Sequence, residues 1–203
     1  MLPKIATPKY DMIVPSTGKS ITYRPYVVKE EKILLIAMET DDNVAIENAV
    51  LDIIKACVET SINVNKLATF DVEYIFANLR AKSVGEGIKL NPTCIAKDCE
   101  STQEVKIEID KVLVENLDTD KDRLIKLSDE ISVGLKWLAM NDRLDTDKDL
   151  SNTDVVIQTI ARSIETIFSG EEIFNASDSK PEELIDFVES LNSDQFTEIV
   201  AKI

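Results

Sequence analysis

The sequence predicts an α+β protein, and three observations carry that prediction. Runs of β-branched and aromatic residues flank turn residues in two places, around PSTGK and around NPTC. Between and after them, apolar residues recur at helical spacing. The composition, 44% hydrophobic and 30% charged over 203 residues, is that of a folded soluble chain with room for one large core or two small ones.

The first predicted element is a β-hairpin, KYDMIVPSTGKSITYRPY, with Pro25 closing its second strand. VKEEKILLIAMET follows as a compact helix with charges in its first turn. After the polar break TDDN, a longer helix is expected over 43–59, where Ile46, Val50, Ile53, Ile54 and Cys57 share one face and make Cys57 a core residue. FDVEYIFANLRAKS predicts another helix, with Val72, Ile75, Phe76 and Leu79 in one stripe, Asp71 near its start and Gly85 and Gly87 at its stop. A central hairpin over 86–110 follows. Ile88 and Leu90 alternate in its first strand and Val105, Ile107 and Ile109 in its second, while the tip carries Cys94 and Cys99.

The remaining sequence predicts an acidic, mainly helical C-terminal part. RLIKLSDEISVGLKWLAM reads as strand-rich. SNTDVVIQTIARSIETIFSG reads as one helix capped near Ser151, with Val156, Ile160, Ile164 and Ile167 as its stripe and Gly170 at its stop. SDSKPEELIDFVESL opens with the capping-box pattern Ser179-x-x-Glu182 and offers Leu184, Phe187, Val188 and Leu191 to the core. Phe196, Ile199, Val200 and Ile203 close the chain. A boundary between a mixed region 1–116 and an acidic region 117–203 is expected, or else a single domain.

Charge narrows the function. Residues 1–97 are neutral, with 12 acidic and 12 basic residues, whereas 98–203 hold 26 acidic and 11 basic residues and so carry the whole net charge of −15. Such a surface repels nucleic-acid backbones and anionic lipids and suits a partner with a basic or mixed surface. The longest apolar run, ILLIAM at 33–38, is too short to cross a bilayer, so no membrane span is expected. The opening residues MLPKIATPKYDM lack the apolar core of a signal peptide, so the chain is expected in the cytosol of the cell that makes it. Histidine is absent, which removes the commonest general base and every Ser-His or Cys-His arrangement. No enzymatic activity and no cofactor are expected.

Three motifs are weighed and set aside. LDTDKD occurs at 117–122 and 144–149, with alternating Asp118, Asp120, Asp122 and Asp145, Asp147, Asp149 as at the start of a calcium loop. The turn glycine is replaced by Arg123 or Leu150, and the final glutamate by Asp129 or Val156, so both copies read as solvated linkers. PSTGKS ends like a phosphate-binding loop, but Ile13 stands at its first glycine and a strand follows where a helix is needed. Cys94 and Cys99 make half of a zinc ribbon. Cys57, on an apolar helix face, and Asp98 or Glu100 do not complete a tetrahedral set, so the pair reads as unliganded thiols.

The stretches LPKIATPKYDMIVPSTGKSITYRPYVVKEEKILLIAMET, FDVEYIFANLRAKSVGE and EEIFNASDSKPEELIDFVESLNSDQF together resemble the baseplate hub assembly proteins of T-even-type contractile-tailed bacteriophages. The resemblance runs from Leu2 to Phe196 and is weakest over 98–150. Relatives in that family carry CP-x-x-G-type cysteine loops in the central hairpin, of which only Cys94 and Cys99 are present here. The resemblance implies a protein that works by protein–protein contact with phage baseplate hub proteins in the host cytoplasm, as an assembly factor or chaperone. Its alternatives are a minor hub component retained in the virion or, from another class, a metal-binding zinc-ribbon-like module.

Overall fold

Turn chemistry sets the first element. Strands β1 (Tyr10–Ile13) and β2 (Ser20–Tyr23) pair antiparallel, with Tyr10 opposite Tyr23 and Ile13 opposite Ser20. Gly18 closes the loop at φ +65°, a conformation that costs a residue without Cβ little, and donates to the Val14 carbonyl at 2.8 Å. Alternation along the strands turns Met12, Val14, Ile21 and Tyr23 inward. The structure, a computed structural model, describes residues 5–96, 99, 101–115, 117, 123–142 and 151–203. It divides into two compact units, Met1–Glu115 and Asn116–Ile203.

In the first unit, α1 (Val28–Glu39), α2 (Asn43–Cys57) and α3 (Thr69–Val84) follow the hairpin. The Asp42 carboxylate caps α2 by accepting from the Val44 N–H at 2.9 Å, and α3 ends at Gly85, φ +131°. Ile53, Ile54 and Cys57 of α2 and Ile75 and Leu79 of α3 are fully buried. Beyond α2 the chain returns to β2: Arg24 N–H donates to the Cys57 carbonyl at 3.0 Å and Glu59 N–H to the Thr22 carbonyl at 2.9 Å. The central hairpin pairs β3 (Gly87–Leu90) with β4 (Val105–Glu108), placing Ile88 opposite Ile107 and Leu90 opposite Val105. Its base is held by the Ile109 N–H on the Glu86 carbonyl at 2.7 Å, with Ile109 buried.

The second unit is built on one antiparallel sheet in the order β5 (Leu124–Lys126), β6 (Ile131–Leu135), β7 (Ile164–Ser169), β8 (Glu172–Asn175). Helices α4 (Asn152–Ser163), α5 (Pro181–Glu189) and α6 (Ser193–Val200) cover one face. Ile125, Val133, Ile160, Ile164, Val188 and Ile199 meet in the core between them. Arg123, just before β5, is buried; its guanidinium donates to the Leu135 and Lys136 carbonyls at 3.1 and 2.7 Å and stacks 3.7 Å from the Trp137 ring centre. The six LDTDKD aspartates lie outside the described residues.

The α+β class stands, and two segments differ from expectation. The helix capped by Ser151 and Asp154 ends at Ser163, so Ile164 and Ile167 belong to a strand and Gly170, at φ +60°, turns β7 into β8. Ile164, Thr166 and Ile167 are β-branched and fit a pleated surface; pairing with β6 on one side and β8 on the other outweighs their helical spacing. Val156 faces solvent, and Ile157 and Ile160 carry the helix's inner stripe. The cap of α5 also moves by one residue: Pro181 occupies the first helical position, and the Glu183 carboxylate accepts from Lys180 N–H at 2.9 Å in place of the Ser179–Glu182 pair.

Candidate interaction surface

The last two helices are amphipathic in a way that divides apolar side chains from carboxylates. Val188 of α5 and Ile199 of α6 are buried, with Leu184, Phe187 and Phe196 half-buried beside them. Asn192 and Gln195 exchange side-chain-to-backbone bonds of 3.0 Å at the start of α6. The other end of the Gln195 amide donates to the Leu127 carbonyl at 2.8 Å and pins the helix to the β5–β6 turn. Rigid placement of the inner face leaves Glu182, Glu183, Asp186, Glu189, Asp194 and Glu198 exposed. Among the described residues none of these six takes part in an ion pair.

Part of that charge has a local purpose. Glu182, Glu183 and Asp194 lie in first helical turns, where a negative charge is favoured by the helix dipole. Asp186, Glu189 and Glu198 have no such role and raise only the surface potential. Beside α5, a cleft of about 600 Å³ is lined by Lys136, Asp142, Arg162, Glu165, Leu184 and Ile185 among others. Lys136 Nζ lies 2.9 Å from Asp142 Oδ2, and Arg162 donates to the Asp142 carbonyl at 3.0 Å. Nothing in that set pairs a nucleophile with a base.

The sequence-predicted cysteines are brought together at the tip of the β3–β4 hairpin. Thr93 bridges Thr102, Cys94 N–H donates to the Ser101 carbonyl at 2.9 Å, and Cys99 Sγ lies 3.1 Å from Ser101 Oγ. Hydrogen bonds from Ser101, and then from Cys94, hold the Cys99 thiol below its ordinary value. Cys57 is buried far inside the first unit, and burial pushes its thiol up to about 11. Among the described residues no group of three or more metal-ligating side chains forms; Asp98 and Glu100 lie outside them.

Sequence places Asp71 near a helix start but does not foretell its burial. Asp71, fully buried at the start of α3, accepts from Ser16 N–H at 2.9 Å and from the Ser16 hydroxyl. It thereby fastens the PSTGK loop, and a carboxylate against that loop is the opposite of a phosphate site. The only sequence signal was an acid in a first helical turn, which the helix dipole already explains.

The sequence profile of the T4 bacteriophage base plate proteins matches residues 7–203, across both units. The chain belongs to that family. No curated protein and no solved structure matches it. Among the described residues of this base plate protein, no helix is long and apolar enough to cross a membrane.

Proposed function

We propose that this base plate protein is a hub assembly factor that works without catalysis, by binding other baseplate proteins while the tail is built in the host cytoplasm. The observation that supports the reading is the unneutralised acidic face of α5 and α6, fastened to the β5–β6 turn through Gln195 and suited to a basic region of a hub subunit. Such a contact steers association by charge and weakens with salt.

The test is co-sedimentation of the purified chain with purified hub subunits at low and high salt, using the native chain and a triple variant Asp186→Lys, Glu189→Lys, Glu198→Lys. The reading expects binding that weakens by about tenfold or more in the triple variant, and in the native chain at high salt. Failure to bind any hub subunit at low salt, or binding indifferent to the triple reversal, would sink it. Mass spectrometry of purified particles separates a transient factor from a hub component retained in the virion.

A further inference from the structure

The longest apolar run of the sequence is not in the core. In α1 only Ala37 and Glu30 are buried, whereas Val28, Ile33, Leu35, Ile36 and Met38 are between 40% and 78% exposed, and Val44 at the start of α2 is 52% exposed. A helix apolar around most of its girth ordinarily has neighbours on every side. At 100° per residue, Val28, Lys32, Leu35 and Glu39 fall on one outward line, with Ile36 and Met38 on its flanks.

The first turn of α1 holds Glu30, paired with Arg24, and Glu31, which suit the helix dipole, but Glu39 ends the helix with no basic residue in the last turn and Asp41 and Asp42 follow. On the outward line Lys32 and Glu39 stand on either side of Leu35 and Ile36. Among the described residues Lys29, Lys32 and Glu39 have no ion-pair partner. An antiparallel copy of the same helix supplies what is missing. About a two-fold axis passing between Leu35 and Ile36, Leu35 of each chain meets Ile36 of the other and Lys32 of each chain stands opposite Glu39 of the other. Each Glu39 then gains the cation that its own last turn lacks.

We propose that the exposed face of α1 is a self-association surface that takes a second copy of this chain in antiparallel register. A helix of this length is about 18 Å long and covers roughly 400 Å² per copy, about half of a standard interface. The dimer is therefore weak and reversible rather than obligate. This goes beyond the hub-binding role, which rests on the other unit.

The experiment is sedimentation equilibrium of the full chain over a wide concentration range, with variants Lys32→Glu, Glu39→Lys and the double substitution. The native chain is expected to dimerise with concentration, and each single variant to dissociate about tenfold more readily, because two like-charge contacts replace two opposite ones. Mixing the two single variants restores association as a heterodimer, and the double variant restores it by itself. These residues are exposed, so thermal melts confirm that each variant folds. A chain that stays monomeric into the hundreds of micromolar, as it would were α1 reserved for the chain's own second unit or another baseplate protein, overturns the proposal. So does a dimer insensitive to the single reversals, or one weakened by them and not restored by mixing.

Discussion

Removing the charge of Glu30 tests the tightest polar node of the first unit. Glu30 is 3% exposed, and its carboxylate takes the Arg24 guanidinium at 3.0 Å on one oxygen and the Val27 N–H at 3.0 Å on the other. Arg24 in turn donates to the Pro25 carbonyl at 3.0 Å and the Ala56 carbonyl at 3.1 Å, the latter in the last turn of α2. One ion pair thus joins the end of β2, the start of α1 and the end of α2. A hydrogen bond to a charged group contributes about 1.5–3 kcal/mol, and the Arg24 side chain is still 24% exposed, so the lower part of that range applies. Glu30→Gln keeps an acceptor for Val27 but turns an amide toward a cation, and should cost about 2 kcal/mol. Glu30→Ala also leaves the Val27 N–H without its partner and should cost about 3 kcal/mol.

Acid supplies the control. Burial alone would raise the Glu30 carboxyl, but the hydrogen bonds from Arg24 and Val27 and the Arg24 charge outweigh it and hold the group below its ordinary value of 4.5. The stability it contributes is therefore fully present above that ordinary value and is lost as pH falls through the lower folded value. Urea melts of the native chain and Glu30→Gln should differ by about 2 kcal/mol near neutral pH, with a lower Tm by about 6 °C, and should converge in the acid range. A neutral-pH difference under about 0.5 kcal/mol, or one that persists unchanged in acid, would refute the argument.

Two further outcomes follow from buried groups. Asp71→Ala should cost about 3 kcal/mol and Ser16→Ala about 1–2 kcal/mol, and the double variant little more than Asp71→Ala alone, because the hydroxyl bond that Ser16→Ala removes is one of the two that Asp71→Ala removes; additive losses in denaturant melts would show that Asp71 acts elsewhere. A disulfide reagent at about pH 8 should titrate Cys94 and Cys99 rapidly, with Cys99 the faster, and leave Cys57 until the chain unfolds; peptide mapping that finds Cys57 labelled early would contradict its burial.

The sequence was legible where one periodicity was unopposed. Around PSTGK, alternation and a turn glycine agree, and β1 and β2 form as expected. Over 160–168 two templates fit at once: Ile160, Ile164 and Ile167 have helical spacing, while Ile164, Thr166 and Phe168 alternate. The deciding partner, Val133 opposite Ile167, lies 34 residues away and leaves no local trace. Gly170 was equally ambiguous, since a positive φ serves a helix stop and a hairpin turn alike. Asp71 was hidden for the same reason, its partner Ser16 being 55 residues distant. The ILLIAM run marks another limit: apolarity says that a face wants covering, but not whether this chain or another covers it.

The two surfaces differ in what they can bind. Residues 116–203 hold 20 acidic and 9 basic residues, whereas 1–115 hold 18 and 14. A surface of one sign cannot pair with its own copy, so the α5–α6 face requires a different protein, of opposite charge. The α1 face carries both signs at opposite ends of an apolar centre, which is the pattern of a surface that matches itself under a two-fold axis. Salt separates them. It should strip the acidic face of its partner, because little apolar area backs that contact. On α1 it screens the Lys32–Glu39 attraction and, at the same time, the repulsion between two chains of net charge −15, so the apolar centre carries the association and the dimer changes little.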